Sequence, residues 1–205
     1  NIPTGEFYDI VLDYKKPYNI YGGTQDDATV FGPAKEWKNE FNDPWKYLWI
    51  DAWDGGDGCI TRVDPNDSSI IYFSMQNGAI RRKNLISNKS KSIRPVLPNY
   101  IKDTLKYNFI TPYFISHHNS NILYHAGNYI FKSENKGENW KVISDNLTKS
   151  KKYPEKKSIA AGAIAESKLQ KGLLYFGSDR GLFWYSKNDG KTWKENSDNI
   201  SDGYI

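Results

Sequence analysis

Two glycine-rich stretches gather acidic side chains where they could do chemistry: Thr24-Gln25-Asp26-Asp27, and Asp51-Ala52-Trp53-Asp54-Gly55-Gly56-Asp57-Gly58. Glycine lets a loop bend sharply beside a ligand. Carboxylates presented there can bind Ca²⁺ or act as general acid and base on a glycosidic bond. The ligand-binding candidates are therefore Gln25, Asp26, Asp27, Asp54 and Asp57. Asp26 and Asp57 form the candidate catalytic pair, and Asp54 and Asp57 are the candidate metal ligands. The same residues suit turn-forming hydrogen bonds to their own backbone, and their spacing matches no EF-hand loop. Trp37, Trp45, Trp49 and Trp53 share this long insertion. They suit either a sugar-stacking platform or filling between sheets, and filling is the preferred reading for most of them.

Other site chemistries are incomplete. A sialidase needs an arginine cluster for the substrate carboxylate and a tyrosine nucleophile with an acidic partner. Arg62, Arg81, Arg82, Arg94 and Arg180 fall in no such pattern. His117, His118 and His125 are not spaced as zinc ligands on a helix, and the single Cys59 can form no internal disulfide. The lysine run from Lys149 to Lys157 reads as a solvated loop, with an anionic polymer or a membrane surface as its alternative contact. Lys+Arg 28 against Asp+Glu 24 leaves a net charge of +4, spread along the chain, which is no footprint for nucleic acid. No apolar run approaches the roughly 20 residues of a membrane-spanning helix.

The elements that must position these residues follow from a repeat. The phrases Asn19-Ile-Tyr-Gly-Gly23, Ile70-Ile-Tyr-Phe-Ser74, Ile122-Leu-Tyr-His-Ala126 and Leu173-Leu-Tyr-Phe-Gly177 place tyrosines at 21, 72, 124 and 175, spaced by 51, 52 and 51 residues. Each ends on a small residue and runs into a turn signal, which reads as a strand entering a hairpin. Plausible strands precede each phrase at Phe7 to Leu12, Ile60 to Val63, Thr111 to Ile115 and Ile159 to Ala165. Third strands follow, clearest at Tyr129 to Ser133 and Leu182 to Ser186, with fourth strands beginning near Trp140 and Trp193. Aromatics at 15 % of the chain favour strands. Four antiparallel strands per repeat of about fifty residues is the anatomy of a β-propeller blade. The four tyrosines are expected in the core, and the small apolar run Ser158 to Ala165 is expected as a strand covered on both faces.

Two stretches sharpen this reading, Ser133-Glu-Asn135-Lys-Gly137-Glu-Asn-Trp140 and Ser186-Lys-Asn188-Asp-Gly190-Lys-Thr-Trp193. A hydroxyl and a short amide can close a tight turn on backbone N–H groups, glycine accepts positive φ, and tryptophan fills the gap between sheets. The pattern resembles the Asp-box, or BNR, hairpin of sialidase-like and sortilin-like propellers, with Asn135 and Asn188 where that family usually has Asp. Further landmarks carry the resemblance along nearly the whole chain, among them Pro17 to Asp27, Gly55 to Gly58, Val63-Asp64-Pro65, Ile93-Arg94-Pro95 and Asn108 to Pro112. They are similar to those of large exported bacterial proteins labelled sortilin N-terminal domain or BNR-repeat glycosyl hydrolase. Asp27-Ala28 departs from that family's more usual Asn-Gly, so this turn should close with less tolerance for positive φ.

The expected fold is all-β, a β-propeller of four consecutive four-stranded blades at 1–54, 55–106, 107–157 and 158–200, with 201–205 entering a following blade. The chain starts at Asn1 rather than Met and is expected to be a processed or trimmed piece of something longer. The blades are expected to form an open section, completed by the parent's remaining blades or by another chain, and to aggregate through exposed blade faces when alone. No cofactor is expected beyond a candidate Ca²⁺. The resemblance implies a secreted or cell-surface bacterial protein. The preferred role is non-catalytic recognition of a protein or glycan; the alternative is a glycoside hydrolase using the Asp pair.

Overall fold

The computed structural model describes residues 5–35, 44–48, 56–155 and 157–198; Asp51, Asp54, Trp37, Trp49 and Trp53 lie outside the described residues. The chain divides into two units, 1–93 and 94–205. Its described regular structure is all strand, in four four-stranded antiparallel sheets, the blades of a β-propeller.

The first unit holds two sheets. One contains β1 (Phe7–Leu12), β2 (Asn19–Thr24), β3 (Thr29–Pro33) and β4 (Lys46–Tyr47), hydrogen-bonded in chain order. The other contains β5 (Thr61–Val63), β6 (Ile70–Ser74), β7 (Ile80–Asn84) and β8 (Ser90–Ser92), again in chain order. Alternation along the strands aims Tyr21 at Val63, Ile71 and Phe73, and these residues with Leu48 form the buried core. A side-chain contact and a backbone contact lock the seam. Thr61 N–H and the Arg62 guanidinium both donate to Asp9 Oδ2, at 3.0 and 2.6 Å. A Cβ on Gly23 would lie 2.1 Å from the Cys59 carbonyl oxygen, so only glycine fits there.

The second unit repeats the plan. One sheet contains β9 (Tyr113–Ile115), β10 (Leu123–Ala126), β11 (Ile130–Ser133) and β12 (Lys141–Val142); the other contains β13 (Ala161–Glu166), β14 (Leu174–Ser178), β15 (Phe183–Ser186) and β16 (Lys194–Glu195). Between them Tyr124, Ala126 and Ile130 pack with Leu174 and Phe176, bordered by Ile143, Ile164, Trp184 and Trp193.

The Ser-x-Asn-x-Gly-x-x-Trp turns form two near-identical networks. Ser133 Oγ accepts from Gly137 N–H at 2.8 Å and donates to Asn135 Oδ1 at 3.0 Å; Ser186 does the same with Gly190 and Asn188, at 2.9 and 3.0 Å. The amide oxygens of Asn135 and Asn188 accept from the backbone N–H of Asn139 and Thr192, each at 2.9 Å. Trp193 fills the gap between the two sheets and donates its indole N–H to the Ile143 carbonyl at 2.8 Å. Trp140 instead meets the buried His125 edge-on, ring centroids 6.1 Å apart.

Two expectations need correction. The four tyrosines do occupy equivalent rows, pairing Val11, Arg62, Phe114 and Ala165 on the first strand of each sheet. Tyr21, Tyr72 and Tyr124 are buried, but Tyr175 is half-buried. The Ser158–Ala165 run is a strand from Ala161 onward, yet it is covered on one face only, with Ala163 and Ala165 exposed. Both departures share a cause. Leu174, Phe176 and Ile164 use the face that meets the β9–β12 sheet, so Tyr175, Ala163 and Ala165 alternate onto the opposite face.

Candidate functional site

In the first unit the turn between β2 and β3 presents Gln25, Asp26 and Asp27 to solvent. Asp57, 6 % exposed, lies directly beneath this turn and engages both carboxylate oxygens. Oδ1 accepts the Asp26 N–H at 2.9 Å, and Oδ2 accepts the Tyr8 hydroxyl at 2.8 Å. That hydrogen bond, with burial and the carboxylate's charge, pushes the Tyr8 phenol up to about 12. The structure therefore brings Asp26 and Asp57 together through a backbone amide, the arrangement of a turn anchor. Asp26 sits at φ 62° and Ala28 at φ 59°, so the turn closes with two non-glycine residues in the left-handed region. Trp45 packs its half-buried ring against Gly32, on the face of its sheet opposite the one that meets β5–β8.

The remaining sequence candidates disperse. Arg62 pairs with Asp9, Arg81 donates to Ser90 at 3.1 Å, and Arg94 stands over the Tyr107 ring. His118 Nε2 contacts the Ser167 carbonyl at 2.9 Å. Among the described residues no group of three His, Cys, Asp or Glu side chains could hold a metal ion; Asp54 lies outside them. Cys59 is fully buried, and burial with the nearby Asp57 charge pushes its thiol up to about 12, which leaves it unreactive. Lysines of the basic run are drawn into ion pairs, Lys149 with Asp103 at 3.1 Å and Lys152 with Asp198 at 2.6 Å.

The sequence reading missed a groove in the second unit. A cavity of about 940 Å³ opens beside β12 and β16, with Ile143, Leu147, Trp184 and Trp193 giving apolar walls and Asp145 and Glu195 polar rims. Trp184 and Trp193 are held there because β15 and the turn before β16 come from adjacent parts of one sheet, while Ile143 and Leu147 follow β12 on its neighbour. The indole N–H of Trp184 is buried without a hydrogen-bond partner. The only signal in the sequence was Trp193 of the second turn motif; the opposite wall is ordinary loop.

A second polar cluster, also unforeseen, centres on Asp103 in the segment before β9. The Asn146 side chain, Thr104 N–H, Lys149 and the Tyr129 hydroxyl all donate to its carboxylate and hold it well below the usual carboxylate range. Asp103 thereby ties that segment to the loop after β12.

No family model and no curated protein sequence matches the chain. Among solved structures it is similar to the GH74 xyloglucanase of Xanthomonas campestris, with a TM-score of 0.57 and 13 % identity over 84 % of this chain and 26 % of that one. The chain thus spans about a quarter of that enzyme's length. YCF48 bound to a D1 peptide matches at a TM-score of 0.42 and 12 % identity over 67 % of this chain and 38 % of that one. Identity at the level of the xyloglucanase match carries the fold alone.

Proposed function

We propose that this chain is a non-catalytic binding propeller of the Asp-box class, belonging to an exported or cell-surface protein and recognising a protein or a glycan. The observation that carries this reading is the groove walled by Trp184 and Trp193, whose aromatic and apolar surface beside polar rims suits a polymeric ligand. The state of Asp57 also supports it. With one oxygen holding the Asp26 N–H of the β2–β3 turn and the other the Tyr8 hydroxyl of β1, this carboxylate is engaged by the fold rather than by a glycosidic bond.

The test is a glycan array together with reducing-sugar release from xyloglucan and other β-glucans. Retention of a glycan without release, weakened at least tenfold by Trp184→Ala, supports the proposal. Sugar release that is lost in Asp26→Asn would replace it with the hydrolase reading. Absence of glycan retention in both wild type and variant would direct the groove to a protein ligand.

A further inference from the structure

We propose that the Trp184–Trp193 groove continues into a basic pocket beside it, and that the two together hold an acidic polysaccharide in which uronates recur among neutral sugars. Neutral rings lie against the tryptophans and a carboxylate meets Lys106 and Lys157. This rests on the binding role proposed for the groove and adds the charge of its ligand.

The continuity is made by two residues. Asn146 and Lys149 line the groove of about 940 Å³ and also a second cavity of about 390 Å³, between the loop after β12 and the segment before β9. Both are held in place, the Asn146 amide and the Lys149 ammonium donating to Asp103 at 2.9 and 3.1 Å. Asp103 is the one carboxylate among the described residues that line the second cavity, so this pairing neutralises it. Lys106 and Lys157 line the same cavity, are exposed, and pair with no carboxylate among the described residues. Ser150 Oγ accepts the backbone N–H groups of Lys152 and Tyr153 at 3.1 and 2.9 Å and keeps its own proton to donate.

The groove itself is balanced. Lys132 matches Asp189 at 2.6 Å, which leaves Asp145 and Glu195 against Lys151 and Lys191. The unmatched positive charge therefore sits at one end, in the second cavity. A polymer charged at every ring would bring its other charges against Asp145 and Glu195, whereas one with spaced uronates sets neutral rings there.

The walls favour a glycan over a peptide. A sugar ring has an apolar face bordered by hydroxyls, and the groove mixes Trp184, Trp193 and Ile143 with the polar side chains of Ser144, Asn146 and Thr192. An extended peptide draws its affinity from a free strand edge, and the edge strands here, β12 and β16, are two residues long.

Isothermal titration calorimetry of the full chain tests this with oligosaccharides of gellan, a linear glycan in which glucuronate recurs among neutral rings, before and after reduction of their carboxyl groups. The acidic form should bind about tenfold more tightly than the reduced form, and the difference should shrink as salt rises from about 0.05 to about 0.5 M. The double variant Lys106→Gln with Lys157→Gln should bind both forms alike. Lys168→Gln with Lys171→Gln, an equal loss of charge on the turn at the far end of β13, should keep the wild-type difference. Far-UV circular dichroism checks folding, and the single variants replace a double that fails it. Equal binding of the two forms by the wild type overturns the proposal and leaves the glycan reading standing. Binding of neither form overturns it as well, and the glycan array then decides the wider reading by itself. Equal weakening in the two double variants would reduce the effect to general charge attraction, and tighter binding of dextran sulfate or of poly-glutamate would replace the uronate; each outcome overturns the proposal.

Discussion

The hydroxyl of Tyr124 donates to Asp189 Oδ1 at 2.7 Å, joining the middle strand of one sheet to the turn motif of the next across 65 residues. The other oxygen of Asp189 accepts from Lys132 Nζ at 2.6 Å. Burial and this carboxylate together push the Tyr124 phenol far up, so it remains a donor at every physiological pH. Tyr21 makes a different contact, its hydroxyl lying 3.3 Å from Asp13 of its own sheet. Equivalent tyrosines are thus tied down in unlike ways.

Tyr124→Phe should lose one charge-assisted hydrogen bond and destabilise the second unit by about 1–2 kcal/mol. Asp189→Ala should cost more, about 2–3 kcal/mol, because it also removes a partner from the Lys132 ammonium, whose side chain is 9 % exposed. Urea denaturation followed by tryptophan fluorescence gives both numbers. Equal effects from the two variants would mean that Lys132 recovers fully through Glu134 at 3.0 Å.

The turn motifs separate a structural amide from a structural charge. Ser133→Ala strips the acceptor from the buried Gly137 N–H and should cost about 1–3 kcal/mol. Asn135→Asp keeps the acceptor oxygen for the Asn139 N–H and should stay within about 0.5 kcal/mol of wild type. Comparable losses in the two variants would show that the amide nitrogen of Asn135 has a role of its own.

Ala28 at φ 59° pays a steric penalty that glycine does not. Its methyl group adds only a partly buried contact to the core. Ala28→Gly is therefore expected to stabilise the first unit by about 0.5 kcal/mol, read as a higher thermal midpoint. A lower midpoint would place the methyl contact above the backbone strain.

Acid should loosen the second unit through Asp103. Its carboxyl is held below its unfolded value by Asn146, Thr104, Lys149 and Tyr129, so its contribution is complete at neutral pH. That contribution fades as pH falls below the unfolded carboxylate value of about 4. Thermal midpoints measured from pH 7 down to pH 2 should fall less steeply for Asp103→Asn than for wild type. Parallel slopes would assign the acid sensitivity to other carboxylates.

The fold was legible in the sequence because a repeat leaves a periodic trace that local chemistry can read. Tyrosines at 21, 72, 124 and 175 fix the middle strands, and glycines 137 and 190, at φ 84° and 81°, mark turns that few other residues could close. Alternation within each strand then sets which side chains share a face.

Which faces are covered is another matter, since burial depends on what packs opposite, and strand sequence is silent about that. Tyr175 and Tyr124 stand in equivalent phrases, yet one is half-buried and the other has a sheet seated on it. The same limit applies to sites. Asp57 reads as a candidate acid because its neighbours are glycines; only the fold places Tyr8 and the Asp26 amide on its two oxygens. Trp184, Ile143 and Leu147 show no shared pattern along the chain. They wall one groove because two sheets bring together residues about 40 positions apart, a proximity that exists only in three dimensions.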